Sequence, residues 1–130
     1  MDRILDYLHK CGAFYLATMD SDGPQVRPFG SVCIFEDKIY ICMGNYKAVF
    51  KQITADPRIC IVAYDGADTW IRINAKAVLD QRQEARDAMI AAEPSLTDIY
   101  DMEADEFEVF YLTDMNATFY EGDVTEEIEF

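Results

Sequence analysis

The chain has 130 residues, and its 25 acidic against 11 basic side chains give a formal net charge of −14 and a pI of 4.2. A charge of this sign disfavours binding to nucleic acid through a basic surface. The excess lies after Arg86, because residues 87–130 hold 14 acids and no Lys or Arg, whereas residues 1–86 hold 11 acids and 11 bases. An anionic ligand is therefore expected to bind the front two-thirds of the chain.

Hydrophobic side chains are frequent enough for a single domain over residues 1–130. They make up 51% of the chain, and aromatic residues such as Phe107, Phe110 and Phe119 continue into the acidic last third, which is not typical of a disordered tail. No apolar run has the length of a membrane span, and residues 1–10 are too polar for a signal-peptide core. We therefore expect a cytoplasmic protein that binds no membrane.

The residues that most often hold transition metals are few and widely spaced. There are four cysteines and one histidine: Cys11, Cys33, Cys42, Cys60 and His9. Because no CxxC pair or similar spacing brings two of them together, no metal site is predicted. Three of the cysteines lie in apolar runs, which favours buried, reduced thiols.

The first half of the chain is predicted to form a helix, three strands and a second helix. The first helix covers residues 2–11, and strands at 13–19, 25–35 and 39–43 follow as an antiparallel meander. Apolar residues at helical spacing from Tyr46 to Ile53 then predict the second helix.

The second half is predicted to be mostly strands. A continuous apolar run over 58–64 is typical of a strand buried on both sides, and the alternation over 70–79 predicts a strand with one apolar and one polar face. The remaining elements are a helix at 82–92, a helical turn or loop at 94–102, two strands at 108–113 and 117–121, and an acidic end at 122–130. Six or seven mostly antiparallel strands with helices between them predict a mainly β fold, a small closed barrel covered by short helices.

The strongest candidate binding site is the start of the second helix. Gly44 permits close approach of a backbone, Asn45 can cap the helix, and the free N–H groups of the first turn can bind an anion. Lys47 and Lys51 are one turn apart, opposite the apolar face, so both can reach one phosphate. The alternative is a solvated helix face with two ordinary lysines.

A second candidate is the sequence Arg27-Pro28-Phe29. Pro28 removes one N–H from the strand ladder, which predicts an edge or a bend. A cation, an irregular backbone and an aromatic ring would then lie together. The alternative is an edge strand with a surface arginine.

The third candidate is the polar face of the alternating strand, which carries Trp70 and Arg72. A tryptophan beside an arginine can pack on a planar ring and hold a charged group, and such faces also form subunit interfaces. A plain solvent-exposed face remains the alternative.

The order and spacing of these segments resemble the FMN-binding split barrels related to pyridoxamine 5'-phosphate oxidase. The similarity covers nearly the whole chain and is carried by the segments 14–18, 27–30, 44–47, 49–58 and 70–75. It implies a six- or seven-stranded antiparallel split β-barrel with short helices covering it, and a homodimer with FMN at the subunit interface.

The resemblance also implies roles for the candidate residues. The strand from Arg27 through Pro28 and Phe29 would run along the isoalloxazine ring, and the segment that begins at Gly44 would hold the ribityl phosphate through Asn45, Lys47 and Lys51. Trp70 and Arg72 would come from the second subunit. FMN carries out the redox step itself, so no protein nucleophile or base is expected, and catalytic residues stay unassigned.

The last third of the chain departs from the oxidase that gives the family its name. That enzyme resembles this chain in fold but binds its substrate's phosphate through late basic residues and a histidine, whereas here Arg86 is the last cation and His9 the only histidine. We therefore expect an FMN-dependent oxidoreductase that acts on a different small organic molecule, with NAD(P)H or a redox protein as electron donor. The alternatives are an FMN electron carrier or sensor without substrate chemistry of its own, and a dimeric binding module without flavin.

Overall fold

An antiparallel sheet of eight strands organises the chain in the computed structural model, which describes residues 1–130. The strands are β1 (Phe14–Asp20), β2 (Gly23–Phe29), β3 (Val32–Phe35), β4 (Lys38–Gly44), β5 (Arg58–Tyr64), β6 (Thr69–Asp80), β7 (Phe107–Glu121) and β8 (Val124–Ile128). The helices are α1 (Asp2–Cys11), α2 (Ala48–Ala55), α3 (Gln83–Ala92) and α4 (Leu96–Ile99). None of the helices is long and apolar enough to cross a membrane.

The strands follow the order β2-β1-β5-β6-β7-β4-β3, and β8 pairs with the second half of β7. Because β2 and β3 stand at the two ends of this order and do not pair with each other, the sheet is not closed. The mainly β, antiparallel architecture with short helices is confirmed. The expectation of a closed barrel is wrong.

Two apolar clusters form the interior. The larger holds 20 buried residues from the inner faces of the strands together with α1 and α2, to which these helices contribute Ile4, Leu8, Val49 and Ile53. The smaller holds eight buried residues, among them Ala85 and Met89 from α3. The helices α1 and α2 thus cover the inner face of the sheet, whereas α3 covers the opposite face of β4, because Tyr40 and Cys42 in its cluster alternate with the inward residues of that strand.

The predicted strand at 25–35 is two strands. It breaks at Gly30 and Ser31, so that β2 pairs only with β1 while β3 pairs only with β4. The predicted meander is therefore wrong, because the two halves of the predicted strand, β2 and β3, lie at opposite ends of the sheet. Pro28 is compatible with an edge strand, because no strand lies on the open side to accept a hydrogen bond from the N–H that proline lacks.

The end of the chain also differs from its prediction. The two strands expected at 108–113 and 117–121 are one strand, β7. The residues between the two predicted strands form a bulge, where the register against β6 shifts between Asn74 and Lys76. The acidic end forms β8, which brings the total to eight strands instead of six or seven. Gly122, with a φ of 57°, makes the tight turn that starts it.

The outer face of the sheet is open and partly apolar. Strand pairing aligns Pro28, Tyr15, Val62 and Arg72 in one row across β2, β1, β5 and β6. Tyr15 is 48% exposed. The strand β5 was predicted to be buried on both sides, but only its inward residues are buried and the others are half-buried or exposed on this outer face.

Candidate functional site

A cleft of about 340 Å³ brings together several of the candidate residues. Its walls are the end of β2 with the link to β3, the end of β4, the start of α2, and the segment from the end of α3 through α4. They are formed by Arg27, Pro28, Phe29, Gly30, Ser31, Cys42, Met43, Lys47, Val49, Glu93, Leu96, Ile99 and Tyr100. Only Arg27, Lys47 and Glu93 among these carry a formal charge, so the cleft is a mainly apolar space with few charged groups.

Arg27 is held in place by neutral groups alone. Its Nη1 donates to the Thr18 Oγ1 at 2.8 Å and to the Leu16 carbonyl at 3.2 Å, and its Nη2 donates to the Gln52 Oε1 at 2.6 Å. The hydroxyl of Thr18 donates to the same Gln52 oxygen at 2.6 Å. These bonds orient the guanidinium without neutralising its charge.

Arg27 has no carboxylate partner. No Asp or Glu oxygen lies within 4.0 Å of Arg27, Lys47, Lys51 or Arg72, whereas five other cations form ion pairs. Partial burial lowers the pKa of the Arg27 guanidinium, since desolvation disfavours its charged form. A partly buried cation with no counter-ion provides a favourable position for an anionic ligand.

The start of α2 adds a second source of positive potential. Lys47 is the N-cap residue, in an extended conformation with φ −80° and ψ 152°, and no side chain caps the helix. The first turn also contains no acidic residue. The N–H groups of that turn therefore keep the partial positive charge of a helix N-terminus, beside the Lys47 ammonium.

The structure separates Lys51 from this cleft. Lys51 lines a neighbouring depression of about 560 Å³ together with Gln52 and Asp20. The two spaces are joined through Gln52, which accepts from Arg27 and donates through its Nε2 to the Asp20 Oδ2 at 3.2 Å. The two lysines therefore line two different spaces, although they are one helical turn apart.

Asn45 and Gly44 have local structural roles. The Asn45 side chain does not cap α2, and instead its Nδ2 donates to the Asp105 carbonyl at 2.9 Å. A Cβ at Gly44 would lie 2.5 Å from the Cε1 of the Tyr46 ring. The predicted cap at Asn45 is thus wrong, and the missing side chain at Gly44 makes room for Tyr46. Their contact with a cofactor stays a prediction.

Trp70 and Arg72 lie on the outer face of the sheet, away from the cleft. The Trp70 ring stacks on Tyr120 with centroids 3.9 Å apart and planes inclined by 7°. The Arg72 guanidinium lies 5.0 Å above the Trp70 ring, and its Nη1 donates to the Tyr120 hydroxyl at 3.1 Å. One chain alone therefore does not bring these two residues to Arg27.

Sequence reasoning missed several residues of the cleft and of its support. Thr18 had a usable signal, because it is a polar residue at the inward position after Phe14 and Leu16 in the alternation of β1. For Gln52 the sequence contained a weaker indication, namely that it is adjacent to the candidate residue Lys51. Glu93 had none, since the sequence does not indicate that the segment after α3 folds over the end of β4.

The open antiparallel sheet with its cleft beside α2 defines a split-barrel domain. The sequence model of pyridoxamine 5'-phosphate oxidase matches residues 1–112, and the chain belongs to that family. No curated protein sequence matches the chain.

Solved structures of similar proteins extend this comparison. A NimC/NimA family protein of Clostridium acetobutylicum is 36% identical with a TM-score of 0.93, over 98% of this chain and 90% of that one. A pyridoxamine 5'-phosphate oxidase-related, FMN-binding protein of Nostoc punctiforme shares the fold at 18% identity and a TM-score of 0.65, over 98% of this chain and 96% of that one. A haem-binding protein of Mycobacterium smegmatis also shares the fold, at 15% identity and a TM-score of 0.70, over 94% of this chain and 54% of that one.

Proposed function

We propose that the chain binds FMN and that the cleft beside α2 holds the phosphate of this cofactor. The observation that carries the proposal is the Arg27 guanidinium, oriented by Thr18, Gln52 and the Leu16 carbonyl but left without a carboxylate. Lys47 and the uncapped first turn of α2 supply further donors. A guanidinium, an ammonium and helix N–H groups form a donor set that suits a phosphate ester.

Neighbouring residues are proposed to complete this site. Lys51 provides long-range attraction from the adjoining depression, and Asn45 and Gly44 shape the turn that leads into α2. Pro28 and Phe29 lie along the isoalloxazine ring. The Phe29 ring packs against Phe14 with centroids 6.0 Å apart, which fixes its position at the edge of the cleft.

We further propose a homodimer in which the outer face of the sheet is the contact surface. That face exposes apolar side chains such as Tyr15, Val26 and Tyr64, which would be buried in a dimer. Trp70 and Arg72 lie on the same face, so the partner's copies of these residues would complete each flavin site. This arrangement explains why Arg72 has no carboxylate partner in one chain.

The reaction we propose is the oxidation or reduction of a small organic molecule. FMN supplies hydride or single-electron transfer when it is bound, and the protein binds it, orients it and excludes water. NAD(P)H is the proposed electron donor. Oxidation of pyridoxamine 5'-phosphate is not proposed, because Arg27 and Lys47 are the only cations that line the cleft and one phosphate engages both.

An electron carrier without substrate chemistry is the second candidate. It is favoured by the acidic last third, where only Glu108, Asp114 and Glu126 of the 14 carboxylates form ion pairs. The remaining charge would attract a basic redox partner, with a strong dependence on salt. Steady oxidation of NAD(P)H with a small acceptor and no partner protein would exclude this candidate.

FMN titration followed by quenching of flavin fluorescence tests the cofactor proposal. The expected result is one FMN per chain, with an affinity that falls roughly tenfold or more in Lys47→Ala, since a charge-assisted phosphate contact contributes about 1.5 to 3 kcal/mol. Lys10→Ala is the matched control, because Lys10 lies on α1 outside the cleft and also lacks an ion pair. Failure of the wild-type protein to take up FMN would refute the proposal.

A further inference from the structure

The cleft contains one carboxylate that no cation neutralises, and we propose that it selects the substrate. Glu93 binds a cationic nitrogen, so the substrates of the flavin are small organic molecules that carry a protonated amine. This inference rests on the proposed binding of FMN in the same cleft. It deepens that proposal by assigning the substrate class and the residue that recognises it.

Glu93 stands at the end of α3, where it is the C-cap residue. It lines the cleft together with Leu96, Ile99 and Tyr100, so its carboxylate belongs to a wall that is otherwise mainly apolar. No Lys or Arg nitrogen lies within 4.0 Å of it. The charge of this carboxylate is therefore available to a ligand.

The position of Glu93 does not serve the stability of α3. The C-terminal end of a helix carries partial negative charge, which favours cations there and disfavours carboxylates. The last turn of α3 contains no basic residue that would offset this effect. A bound cation would interact favourably with the carboxylate and with the last carbonyl groups of the helix at the same time.

The surroundings of Glu93 strengthen its effect on a ligand. Cys42, which lines the same cleft, is only 6% exposed. Burial raises the pKa of the Cys42 thiol to about 12, and the Glu93 carboxylate is a smaller cause in the same direction. Because Glu93 is half-buried and lies beside a buried thiol, an ion pair with it is screened less by solvent than one on the open surface.

The charge balance of the loaded cleft leads to the same assignment. Arg27, Lys47 and Glu93 are the only charged residues that line it. When the FMN phosphate engages Arg27 and Lys47, Glu93 is the one formal charge of the wall that has no partner. A cationic substrate would neutralise it, whereas an anionic substrate would meet both the phosphate and the carboxylate.

Three ligands of matched size test the assignment on the FMN-loaded protein: benzylammonium, benzyl alcohol and benzoate. Their dissociation constants are measured at low salt by the change in flavin absorbance and by isothermal titration calorimetry. The variants are Glu93→Gln, which keeps the shape of the side chain, and Glu84→Gln as control. Glu84 is an exposed acid in the first turn of the same helix, so the control makes the same change in net charge away from the cleft.

Benzylammonium is expected to bind wild-type protein and Glu84→Gln about tenfold more tightly than benzoate, with benzyl alcohol between them. In Glu93→Gln the preference disappears while FMN affinity stays within about twofold. Equal or tighter binding of benzoate by the wild type, or a preference that survives in Glu93→Gln, overturns the assignment although FMN still binds. If fluorescence titration shows no FMN uptake, both this inference and the proposed function fail.

Discussion

The role of Arg27 is tested by replacing it with methionine, which keeps an apolar side chain of similar length and removes the guanidinium. The change deletes three hydrogen bonds, all to neutral acceptors. Thr18 and Gln52 keep the bond of 2.6 Å between them, so neither loses its only partner. Arg27→Met should therefore affect binding much more than folding.

Two opposing contributions set the expected change in stability. A hydrogen bond contributes about 0.5 to 1.5 kcal/mol net, but a partly buried cation without a counter-ion carries a desolvation cost. We expect the free energy of unfolding of the apoprotein to change by less than about 1 kcal/mol. Loss of one charge-assisted phosphate contact, in contrast, costs about 1.5 to 3 kcal/mol, so the dissociation constant of FMN should rise roughly 10- to 100-fold.

Arg82→Met provides the matched control. Arg82 donates to the buried Asp80 carboxylate from its Nε at 3.1 Å and from its Nη2 at 3.0 Å, and it also pairs with Glu36. Removing it leaves the buried Asp80 carboxylate with fewer donors, so the apoprotein should unfold at a lower urea concentration than the wild type. Because Arg82 does not line the cleft, FMN affinity should not change.

The measurements are urea unfolding of each apoprotein, followed by circular dichroism, and FMN titration by fluorescence quenching. The opposite effects of the two arginine variants are the distinctive expectation. If Arg27→Met lowers the urea midpoint as much as Arg82→Met does while FMN affinity is unchanged, Arg27 is a structural residue and the assigned phosphate site is wrong.

Three further outcomes are expected. Hydrogen bonds chiefly from Arg82 lower the pKa of Asp80 from 3.8 to about 2. This carboxylate therefore stabilises the fold above pH 4 and loses its contribution as the pH falls toward 2. Urea midpoints measured at a series of pH values should fall more steeply in the wild type than in Asp80→Asn. Trp70→Glu should convert a dimer to a monomer in light scattering and weaken FMN binding, and an unchanged mass would contradict the proposed interface. Burial raises the pKa of Cys33 to about 11 and that of Cys42 to about 12, so native protein should leave both thiols unlabelled by iodoacetamide at pH 8, while modification of either would contradict their burial.

Much of the fold follows from periodicity in the sequence. The first helix and the long alternating strand β6 lie where apolar spacing predicts them, because each element buries one regular face. The continuous apolar run predicts the position of β5, but this strand buries only one of its faces. The two errors of connection have physical causes. At Gly30 the chain leaves one edge of the sheet and reaches the other, and no local pattern encodes which strands pair; at Asp114 a φ of 52° produces a bulge that resembles a turn in sequence.

The candidate site was predictable where charge and local motif coincide. Arg27 and Lys47 stand out because each cation begins or interrupts an element with a definite face, and the fold brings both to one cleft. The support of Arg27 by Thr18 and Gln52 depends on the packing of α2 against β1, which single-sequence spacing does not encode. The position of Glu93 in the cleft depends on the path of the chain after α3, which single-sequence spacing does not encode either.

The single long strand β7 determines whether the sheet is continuous. It pairs with β6, β4 and β8, and it is the only strand that hydrogen-bonds both to the group β2-β1-β5-β6 and to the hairpin β4-β3, although α1 and α2 also pack against both. A chain that ended before β7 would therefore leave the edge strands β6 and β4 without the strand that hydrogen-bonds to both of them.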